Sequence, residues 1–393
     1  MDILIFAIED GRFGPARFPL MLHKAGLTVA ALCPSDNILA QSDFLGAHHA
    51  LPQSRNIRVI AEAMAAAITA SRPKLVIPGD EQAVILLQAF AMGRCSSLIG
   101  PEAKAIIARS LGAPCMFAAS LFKSDTIALA RSLGIPVPKS ETVVSANEAY
   151  RAGERMGYPV FLKQSFSWAG MGVAKCDDAN ALRAACNAAR PRGMMLRRLV
   201  RKVLGRDWYP AVTAMDVQSG IAGSTAMFSV LAWQGRLIGG ISGVRLAKVG
   251  PYGPSTSVRI AHNQSMADAA GNMVAALGMT GFVSFDFMIP HDGSEPVMIE
   301  CNPRPVPVHH LGSHVGVDLA SAFARLLKGE SVEGDPAFAD REIDVVLFPH
   351  ALNPALHVAG SLLDMADEDP GLVRHVAGHY SAKGTDQPTR LAA

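Results

Sequence analysis

Two acidic residues and an amide occupy alternating positions in one segment of the chain, which reads SFDFMIPHDGSEPVMIECNPR over residues 284–304. Two alternating apolar runs flank a turn centred on Gly293, and this pattern predicts a β-hairpin. In that register Asp286 faces Glu300, and Asn302 lies on the same face because side chains alternate along a strand. The segment therefore predicts a face with two opposed carboxylates and a neighbouring amide.

The opposed acids indicate a cation between them. Like charges directly across a strand pair destabilise it, and carboxylate and amide oxygens are ligands that suit Mg²⁺. The other face of the hairpin is apolar, and we expect Phe287 to pair with Ile299, and Ile289 with Val297. The alternative is a solvated hairpin face that carries two unrelated acids.

A lysine followed by a Ser- and Gly-containing loop supplies a second set of candidate groups. Lys163 ends the predicted strand at residues 159–163, and the following residues 164–173 read QSFSWAGMGV. Successive backbone N–H groups in such a loop can form an anion-binding concavity, and glycine allows the backbone angles this needs. The pattern favours a polyphosphate ligand, although its spacing is not that of a P-loop. The alternative is a hairpin turn with a surface lysine.

Two further cations lie in restricted positions. Lys123 begins a predicted helix, and Arg304 follows Asn302 between Pro303 and Pro305. An arginine held beside the acidic face could bind phosphate or carboxylate oxygens in a bidentate manner. Each cation has a plainer alternative, because a lysine at a helix end is usually solvated and the arginine could lie in a surface loop.

The histidines and cysteines do not predict a metal centre or a thiol nucleophile. His309, His310 and His314 are close in sequence, but neighbouring residues of a strand point to opposite faces and no third ligand has helical spacing. We expect structural or substrate-lining roles for them. The six cysteines form no CxxC pair, and buried free thiols in a reducing cytoplasm are the expected state.

The first hundred residues alternate between predicted strands and helices, which would position some of the candidate ligand-binding residues. Apolar runs predict strands at residues 3–8, 27–32 and 75–77, and an alanine-rich stretch predicts a helix at 57–71. This order indicates a doubly wound parallel α/β unit, whose ligands bind at the carboxyl ends of the strands.

A second unit carries the lysines and the acidic hairpin. Helices are predicted at residues 120–133, 146–156, 266–277 and 319–327. Residues 209–260 are strand-like, with turns indicated by Gln234-Gly235 and Gly239-Gly240.

Composition indicates a globular chain of two or three domains. Of 393 residues, 50% are hydrophobic and 18% are charged, which is enough for a large core. The net charge is +2, with Lys and Arg scattered, and this argues against a nucleic-acid partner. The apolar run near the N-terminus is too short for a signal peptide or a membrane span. We expect a soluble cytoplasmic protein with no membrane partner.

Taken together, these segments resemble the ATP-grasp superfamily, in particular its carboxylate–amine ligases. The likeness runs from residue 1 to about residue 370 and is carried by DILIFAIEDG with PKLVIPGDEQ, FKSDTIALARSLGIPVPKS, GYPVFLKQSFSWAGMGV, and GFVSFDFMIP with PVMIECNPRP. It implies an N-terminal α/β pre-ATP-grasp domain at 1–115 and an ATP-grasp domain at 116–335, with subdomains at 116–195 and 196–335. A C-terminal extension at 336–393 would pack on the ATP-grasp unit.

The resemblance also implies roles for individual residues. Members bind ATP between two α+β subdomains and join a carboxylate to an amine through an acyl phosphate, with release of ADP and phosphate. Lys123 and Lys163 match the lysines that hold the ATP phosphates, and Arg304 matches an arginine near the transferred phosphoryl group, so Lys163 and Arg304 are the implied catalytic residues. The metal positions, for Mg²⁺ or Mn²⁺, are matched by Asp286, Glu300 and Asn302. The loop that closes over the nucleotide is matched by Ser167, Gly170, Met171 and Gly172.

Two features depart from the family pattern. The hinge that usually carries an acid before an apolar pair reads LRRLV at residues 196–200, and Leu199 would contact the nucleotide there. An acid for the ribose hydroxyls is not evident, and Asp207 is the nearest substitute. The acceptor pocket would draw on Arg245, Arg259 or His309, each of which has an equal structural alternative.

The sequence thus favours an ATP- and Mg²⁺-dependent ligase acting on a small-molecule carboxylate and an amine, with a homodimer as one assembly. A catalytically degenerate nucleotide-binding sensor or scaffold is the alternative. An oxidoreductase is disfavoured because the first turn, EDGRFG at residues 9–14, lacks the GxGxxG spacing.

Overall fold

Four parallel strands form the N-terminal sheet of the computed structural model, which describes residues 1–165, 172–189, 194–210, 214–250, 253–332 and 334–382. The strands are β1 (Ile3–Phe6), β2 (Val29–Cys33), β3 (Ala47–Ala50) and β4 (Leu75–Pro78), in the order β3-β2-β1-β4. The helices of this part are α1 (Phe13–Ala16), α2 (Phe18–Lys24), α3 (Ile57–Ser71), α4 (Glu81–Ala91) and α5 (Ser96–Arg109).

The side chains of β1 alternate between two separate cores. Ile3 and Ile5 pack in the core that contains Phe18 of α2, whereas Leu4 and Phe6 pack in the core formed with α3, α4 and α5. Because both faces of the sheet are covered by helices, its central strands are apolar throughout. The predicted doubly wound α/β unit is confirmed.

Helix α3 shows how closely local sequence sets an element. The side chain of Asn56 accepts a hydrogen bond from the Arg58 N–H and caps the first turn. Buried residues then recur at Ile57, Ile60 and Met64, which is the spacing of an amphipathic helix. The helix ends at Arg72, which has a left-handed φ of 46°. The bounds predicted from the sequence are confirmed.

A small antiparallel sheet carries Lys163. Its strands are β5 (Ser140–Val143), β6 (Val160–Gln164), β7 (Val173–Cys176) and β8 (Met215–Ser219), in the order β5-β8-β6-β7. The helices near it are α6 (Phe117–Leu121), α7 (Lys123–Ser132), α8 (Ala146–Met156), α9 (Ala179–Ala188) and α10 (Met194–Val203).

A larger sheet carries the acidic hairpin. Its main path is β13-β12-β9-β10-β11-β15-β16, with β14 paired to β10. The strands are β9 (Gly223–Trp233), β10 (Arg236–Lys248), β11 (Ser255–Ala261), β12 (Gly281–Pro290), β13 (Val297–Asn302), β14 (Ala337–Phe338), β15 (Ile343–Val346) and β16 (Leu362–Leu363). The remaining helices are α11 (Gln264–Leu277), α12 (Leu319–Leu327) and α13 (Pro370–Ala382).

Three local predictions are wrong. The helix predicted at 120–133 is two helices, because Phe122 between α6 and α7 has extended angles (φ −95°, ψ 129°). Gly239-Gly240 is not a turn but lies within β10, where a side chain at Gly239 would sit 2.9 Å from the Ala337 carbonyl oxygen. On the hairpin, Phe287 pairs with Met298, and Met288 with Val297, because a bulge shifts the register beyond Asp286.

Within the described ranges, no single helix passes a length and hydropathy test for a membrane span; α4 and α5 pass it only as a pair, across a bend of 102°.

Candidate functional site

The acidic face of the β12–β13 hairpin forms the centre of the candidate site. Asp286 and Glu300 are cross-strand partners, and Ser284 pairs with Asn302. The amide nitrogen Nδ2 of Asn302 donates to Oδ2 of Asp286 at 3.2 Å. The pairing of the two acids predicted from the sequence is confirmed, and all three candidate metal residues lie together.

The two acids of this face differ in their electrostatic surroundings. Burial, together with the nearby charge of Glu300, raises the pKa of Asp286 well above its usual range. Lys123, the first residue of α7, donates from Nζ to Oε1 of Glu300 at 2.7 Å. One of the two opposed carboxylates therefore has a cationic partner in this state, and the other is disfavoured as an anion.

The donor chemistry of the face fits Mg²⁺. Its possible ligands are two carboxylates and one amide, all of which can offer hard oxygen atoms. In the part of the chain that the structure describes, no group of three or more His, Cys, Asp or Glu residues is disposed to hold a metal. The amide of Asn302, which contacts Asp286, is the protein group placed to act as a further donor at this face. With a cation present, that amide would present its oxygen, and amide orientation is exchangeable by a flip.

Lys163 lies on β6 within the field of the same acids. Burial lowers the pKa of Lys163 to about 8, and the charge of Lys123 acts in the same direction, whereas Glu300 and Asp286 act against it. Two lysines converge on one acidic face. A polyphosphate placed between them would raise the pKa of Lys163 and keep it cationic.

A buried acid that the sequence analysis did not single out supports the lysines from behind. Asp216 on β8 is the cross-strand partner of Lys163 and is 4% exposed. Its carboxylate accepts from Thr142 Oγ1 at 2.7 Å and from Ser165 Oγ at 3.1 Å. The Ser165 carbonyl in turn accepts from the Lys123 N–H at 3.0 Å. The local sequence offered no signal for this acid, because β8 reads MDVQS and three of its five residues are polar.

The base of the Ser- and Gly-containing loop is fixed by a backbone contact. Gln164 N–H donates to the Gly172 carbonyl at 3.0 Å. Gly172 has a φ of +71°, and a Cβ there would meet the Gln164 side chain at 3.0 Å; this is a position where glycine is required. The predicted nucleotide residues Ser167, Gly170 and Met171 lie outside the described residues.

Arg304 is held by an acid from a helix of the N-terminal α/β unit. Its Nη2 lies 2.5 Å from Oε1 of Glu81, the first residue of α4. Its Nη1 donates to the Pro305 carbonyl at 3.2 Å. Burial alone would lower the pKa of Arg304, but the carboxylates of Glu81 and Asp286 raise it. The arginine therefore stays charged beside the acidic face.

The carboxyl ends of β1 and β4 supply a polar cluster that closes this side of the site. Asp80 is fully buried and accepts the N–H groups of Ile8, Glu9 and Ala83 at 2.5, 2.9 and 2.8 Å. Glu9 accepts from Gln82 Nε2 at 3.0 Å. These residues follow β1 and β4, which are neighbours in the sheet, and ligands of doubly wound sheets bind at such strand ends. The strand ends were predicted as the ligand edge, but not these individual residues.

Other candidate residues lie in different surroundings. Leu199 is on α10 with 59% of its surface exposed, and its contact with a nucleotide stays a prediction. Asp207 is exposed and pairs with Arg94 at 3.0 Å. Arg259 pairs with Asp344 at 2.7 Å on the outer part of the sheet. Arg245 lies closer to the acidic face than Arg259 does. Burial lowers the pKa of Arg245, and the charge of Asp286 raises it.

The neighbouring histidines are structural. His309 is 1% exposed, and its ring contacts the Val306 N–H at 3.0 Å and the Val283 carbonyl at 3.1 Å. Burial lowers the pKa of His309 to about 4, so the ring is neutral. His310 contacts Asp364 at 3.0 Å. These contacts fit the structural alternative for His309 and His310, and a substrate-lining role stays a prediction.

Sequence comparisons find nucleotide-binding relatives for part of the chain. The family model for the ATP-binding domain of the carbamoyl-phosphate synthase L chain matches residues 123–199. The carbamoyl phosphate synthase large chain of Methanospirillum hungatei JF-1 is 25% identical over 228 residues, which are 57% of this chain and 20% of that protein. That of Rubrobacter xylanophilus is 26% identical over 207 residues, or 51% of this chain and 18% of that protein. The chain thus spans about a fifth of the length of these relatives.

Solved structures share the fold over most of this chain at low sequence identity. The biotin carboxylase domain of 2-oxoglutarate carboxylase from Hydrogenobacter thermophilus has a TM-score of 0.62 at 16% identity, covering 85% of this chain and 71% of that one. L-amino acid ligase from Bacillus licheniformis has a TM-score of 0.61 at 17% identity, covering 88% and 80%. Carboxyaminoimidazole ribonucleotide synthase from Aspergillus clavatus has a TM-score of 0.59 at 13% identity, covering 86% and 80%. The resemblance predicted from the sequence is confirmed: the chain has the ATP-grasp fold.

Proposed function

We propose that the chain is an ATP- and Mg²⁺-dependent ligase that joins a small carboxylate to an amine and releases ADP and phosphate. The observation that carries this proposal is the convergence of Lys123, Lys163 and Arg304 on the opposed acids Asp286 and Glu300. Three cations around two carboxylates suit a polyphosphate bound together with a divalent cation. The similarity of residues 123–199 to an ATP-binding domain supports this choice.

The metal would be held by Asp286, Glu300 and Asn302. When bound, Mg²⁺ would neutralise phosphate charge and orient the phosphate oxygens. The raised pKa of Asp286 supports this assignment, because two facing carboxylates at short range favour a cation between them. Lys123, which donates to Glu300 at 2.7 Å, would bind phosphate oxygens beside these residues. Mn²⁺ accepts the same oxygen donors.

The lysines and the loop would bind and enclose the nucleotide. Lys163 would bind phosphate oxygens from the end of β6, and its lowered pKa would return toward the ordinary value of a lysine as anionic oxygens arrive. The residues that follow Gln164 would close over the phosphates and exclude water from an acyl phosphate. In phosphoryl transfer, such positioning and charge neutralisation supply most of the catalysis.

The acceptor pocket would lie between Arg304 and the carboxyl ends of β1 and β4. Arg304 would contact the transferred phosphoryl group or the acceptor carboxylate. Glu9 and Glu81 lie at the same edge, where each is paired with an arginine. Among the similar structures, the biotin carboxylase domain is a complex with bicarbonate. The carboxyaminoimidazole synthase was also solved with an aminoimidazole ribonucleotide. These ligands support a small-molecule acceptor.

We retain the predicted division into domains at 1–115, 116–335 and 336–393 as part of the proposal, and a homodimer as its assembly. The biotin carboxylase domain that resembles this chain was solved as a dimer.

The proposal is tested by incubating the protein with ATP, Mg²⁺ and pooled small carboxylates and amines. We expect ADP and phosphate to form only with a pool that contains both partners. A protein that binds ATP but forms no ADP above background with any pool would instead fit the non-catalytic sensor.

A further inference from the structure

Arg304 is fixed by a contact that joins two distant parts of the chain. Its Nη2 and Oε1 of Glu81 are 223 residues apart in sequence and 2.5 Å apart in space. The two side chains are 12% and 11% exposed. An ion pair this well covered is screened little by salt and holds its partners in one geometry.

Glu81 is itself held rigidly. It follows Asp80, whose carboxylate accepts the Ala83 N–H and caps α4, so its backbone lies in the first turn of the helix. Arg12 approaches its second oxygen, Oε2, at 3.3 Å, and Arg12 also pairs with Glu9. Charge from Arg304 and Arg12 lowers the pKa of Glu81 against the opposing effect of burial. The carboxylate is therefore ionised and positioned before any ligand arrives.

The contacts leave part of the guanidinium of Arg304 unused. Nη2 donates to Glu81 and, at 3.5 Å, to Oδ1 of Asn302, and Nη1 donates to the Pro305 carbonyl. Nε is buried and has no hydrogen-bond partner among the residues that the structure describes. A long side chain held along one edge loses its rotamer freedom in advance, and its remaining donors keep a fixed direction.

We propose that Glu81 is a positioning residue for Arg304. Through this contact, the N-terminal α/β unit forms part of the phosphoryl-binding site. This inference rests on the proposed function, since it assigns the group that Arg304 contacts to a phosphate. Glu81 makes no contact with the phosphate, and it acts by fixing the arginine that does.

The test measures binding of inorganic phosphate, a product of the proposed reaction, to the complex of the full chain with MgADP. Calorimetry gives the MgADP affinity first and the phosphate affinity in saturating MgADP second. Glu81→Gln keeps the size of the side chain and removes its charge. We expect this variant to keep wild-type MgADP affinity and to bind phosphate about tenfold more weakly, as for loss of one charge-assisted contact. Glu62→Gln, an exposed glutamate on α3, serves as the matched control and should change neither value.

A double-mutant comparison separates positioning from a general structural effect. Arg304→Ala should weaken phosphate binding by itself, and adding Glu81→Gln to it should produce no further loss, because the glutamate acts only through the arginine. Where Glu81→Gln does not fold, Glu81→Asp keeps the charge and shortens the reach. That variant should weaken phosphate binding while leaving MgADP binding intact.

Each remaining outcome contradicts the inference. Wild-type or tighter phosphate binding by Glu81→Gln would mean that the glutamate does not position the arginine, or only competes for it. A further loss in the Arg304→Ala background would mean that Glu81 acts elsewhere. A wild-type protein that binds MgADP but no phosphate overturns the inference alone, whereas one that binds neither overturns the proposed function with it.

Discussion

Nζ of Lys123 lies 2.7 Å from Oε1 of Glu300 across 177 residues of sequence. The lysine opens the segment that resembles an ATP-binding domain, and the glutamate belongs to the acidic hairpin. The lysine therefore contacts a carboxylate that we assign to the metal. Under the proposed function, this shared carboxylate would couple nucleotide binding to metal binding.

This coupling gives the first prediction. Lys123→Gln removes the cation that shares Glu300 and should lower MgATP affinity about tenfold or more, because a charge-assisted contact with phosphate is lost. Lys163→Gln should have a similar effect. Calorimetric titration with MgATP checks both variants. Lys139→Gln, which changes a lysine outside this cluster, is the control, and equal affinity in all three variants would exclude the lysines from the site.

The second prediction concerns the acid behind the lysines. Asp216→Asn leaves Thr142 and Ser165 with a weaker acceptor, so we expect the free energy of unfolding to fall by about 1–3 kcal/mol. Because Ser165 also holds the Lys123 backbone, MgATP affinity should fall as well. Urea unfolding and nucleotide titration measure the two effects. An unchanged affinity would restrict Asp216 to a purely structural role.

The third prediction concerns stability remote from the site. Asp364 is almost fully buried and pairs with Arg17 at 2.7 Å and with His310 at 3.0 Å, and these charges hold its pKa well below its usual range against the opposing effect of burial. Removal of one partner of a buried pair leaves the other charge buried and unpaired. Asp364→Asn should therefore lower the free energy of unfolding by about 3–5 kcal/mol.

A matched control for this pair is available on the surface. Glu368→Gln breaks the exposed pair with Lys24 and should change stability by less than about 1 kcal/mol. Chemical denaturation compares the two variants, and similar losses in both would contradict a special role for the buried network. Neither variant should alter MgADP binding.

The fourth prediction is a pH dependence due to His309. Burial lowers the pKa of His309 to about 4 in the folded protein, below its value in the unfolded chain of about 6.5. The unfolded state thus binds more protons between these two values, so this contribution to stability is full above pH of about 6.5 and is lost toward pH of about 4.

A substitution separates the contribution of His309 to the pH dependence from that of the other titratable groups. The difference in unfolding free energy between the wild type and His309→Gln should shift in favour of the wild type as pH rises through that window. His262→Gln, at an exposed position, should follow the wild type at every pH. A pH-independent difference between the wild type and His309→Gln would show that the ring titrates normally when folded.

Local patterns predicted most elements of the fold but not where they bend. The bounds of α3, α8 and α12 were predicted correctly, and in the structure each helix is capped by the side chain of the residue before it. On the hairpin, the pairing of Asp286 with Glu300 was predicted correctly, whereas the apolar pairs beyond it were not. A bulge adds a residue to one strand without disturbing the alternation that sequence analysis detects.

The site residues that stand in local sequence patterns were predicted, whereas those whose roles depend on contacts between distant segments were missed. Lys163, Asp286 and Glu300 stand in local patterns that carry a chemical signal. Glu81 and Asp216 follow from neither spacing nor composition, because their roles arise from contacts with Arg304 and with Ser165 on other elements. Tertiary contacts of this kind are fixed by the packing of whole sheets.

The Mg²⁺ dependence of nucleotide binding tests the assignment of the metal to the acidic face most directly. ADP affinity is measured by calorimetry with and without Mg²⁺ in the wild type, in Asp286→Asn/Glu300→Gln, and in Glu295→Gln as a control at the exposed hairpin tip. We expect Mg²⁺ to strengthen ADP binding about tenfold or more in the wild type and the control, and hardly at all in the double variant. An equal Mg²⁺ effect in all three proteins would contradict the assignment of the metal to the acidic face.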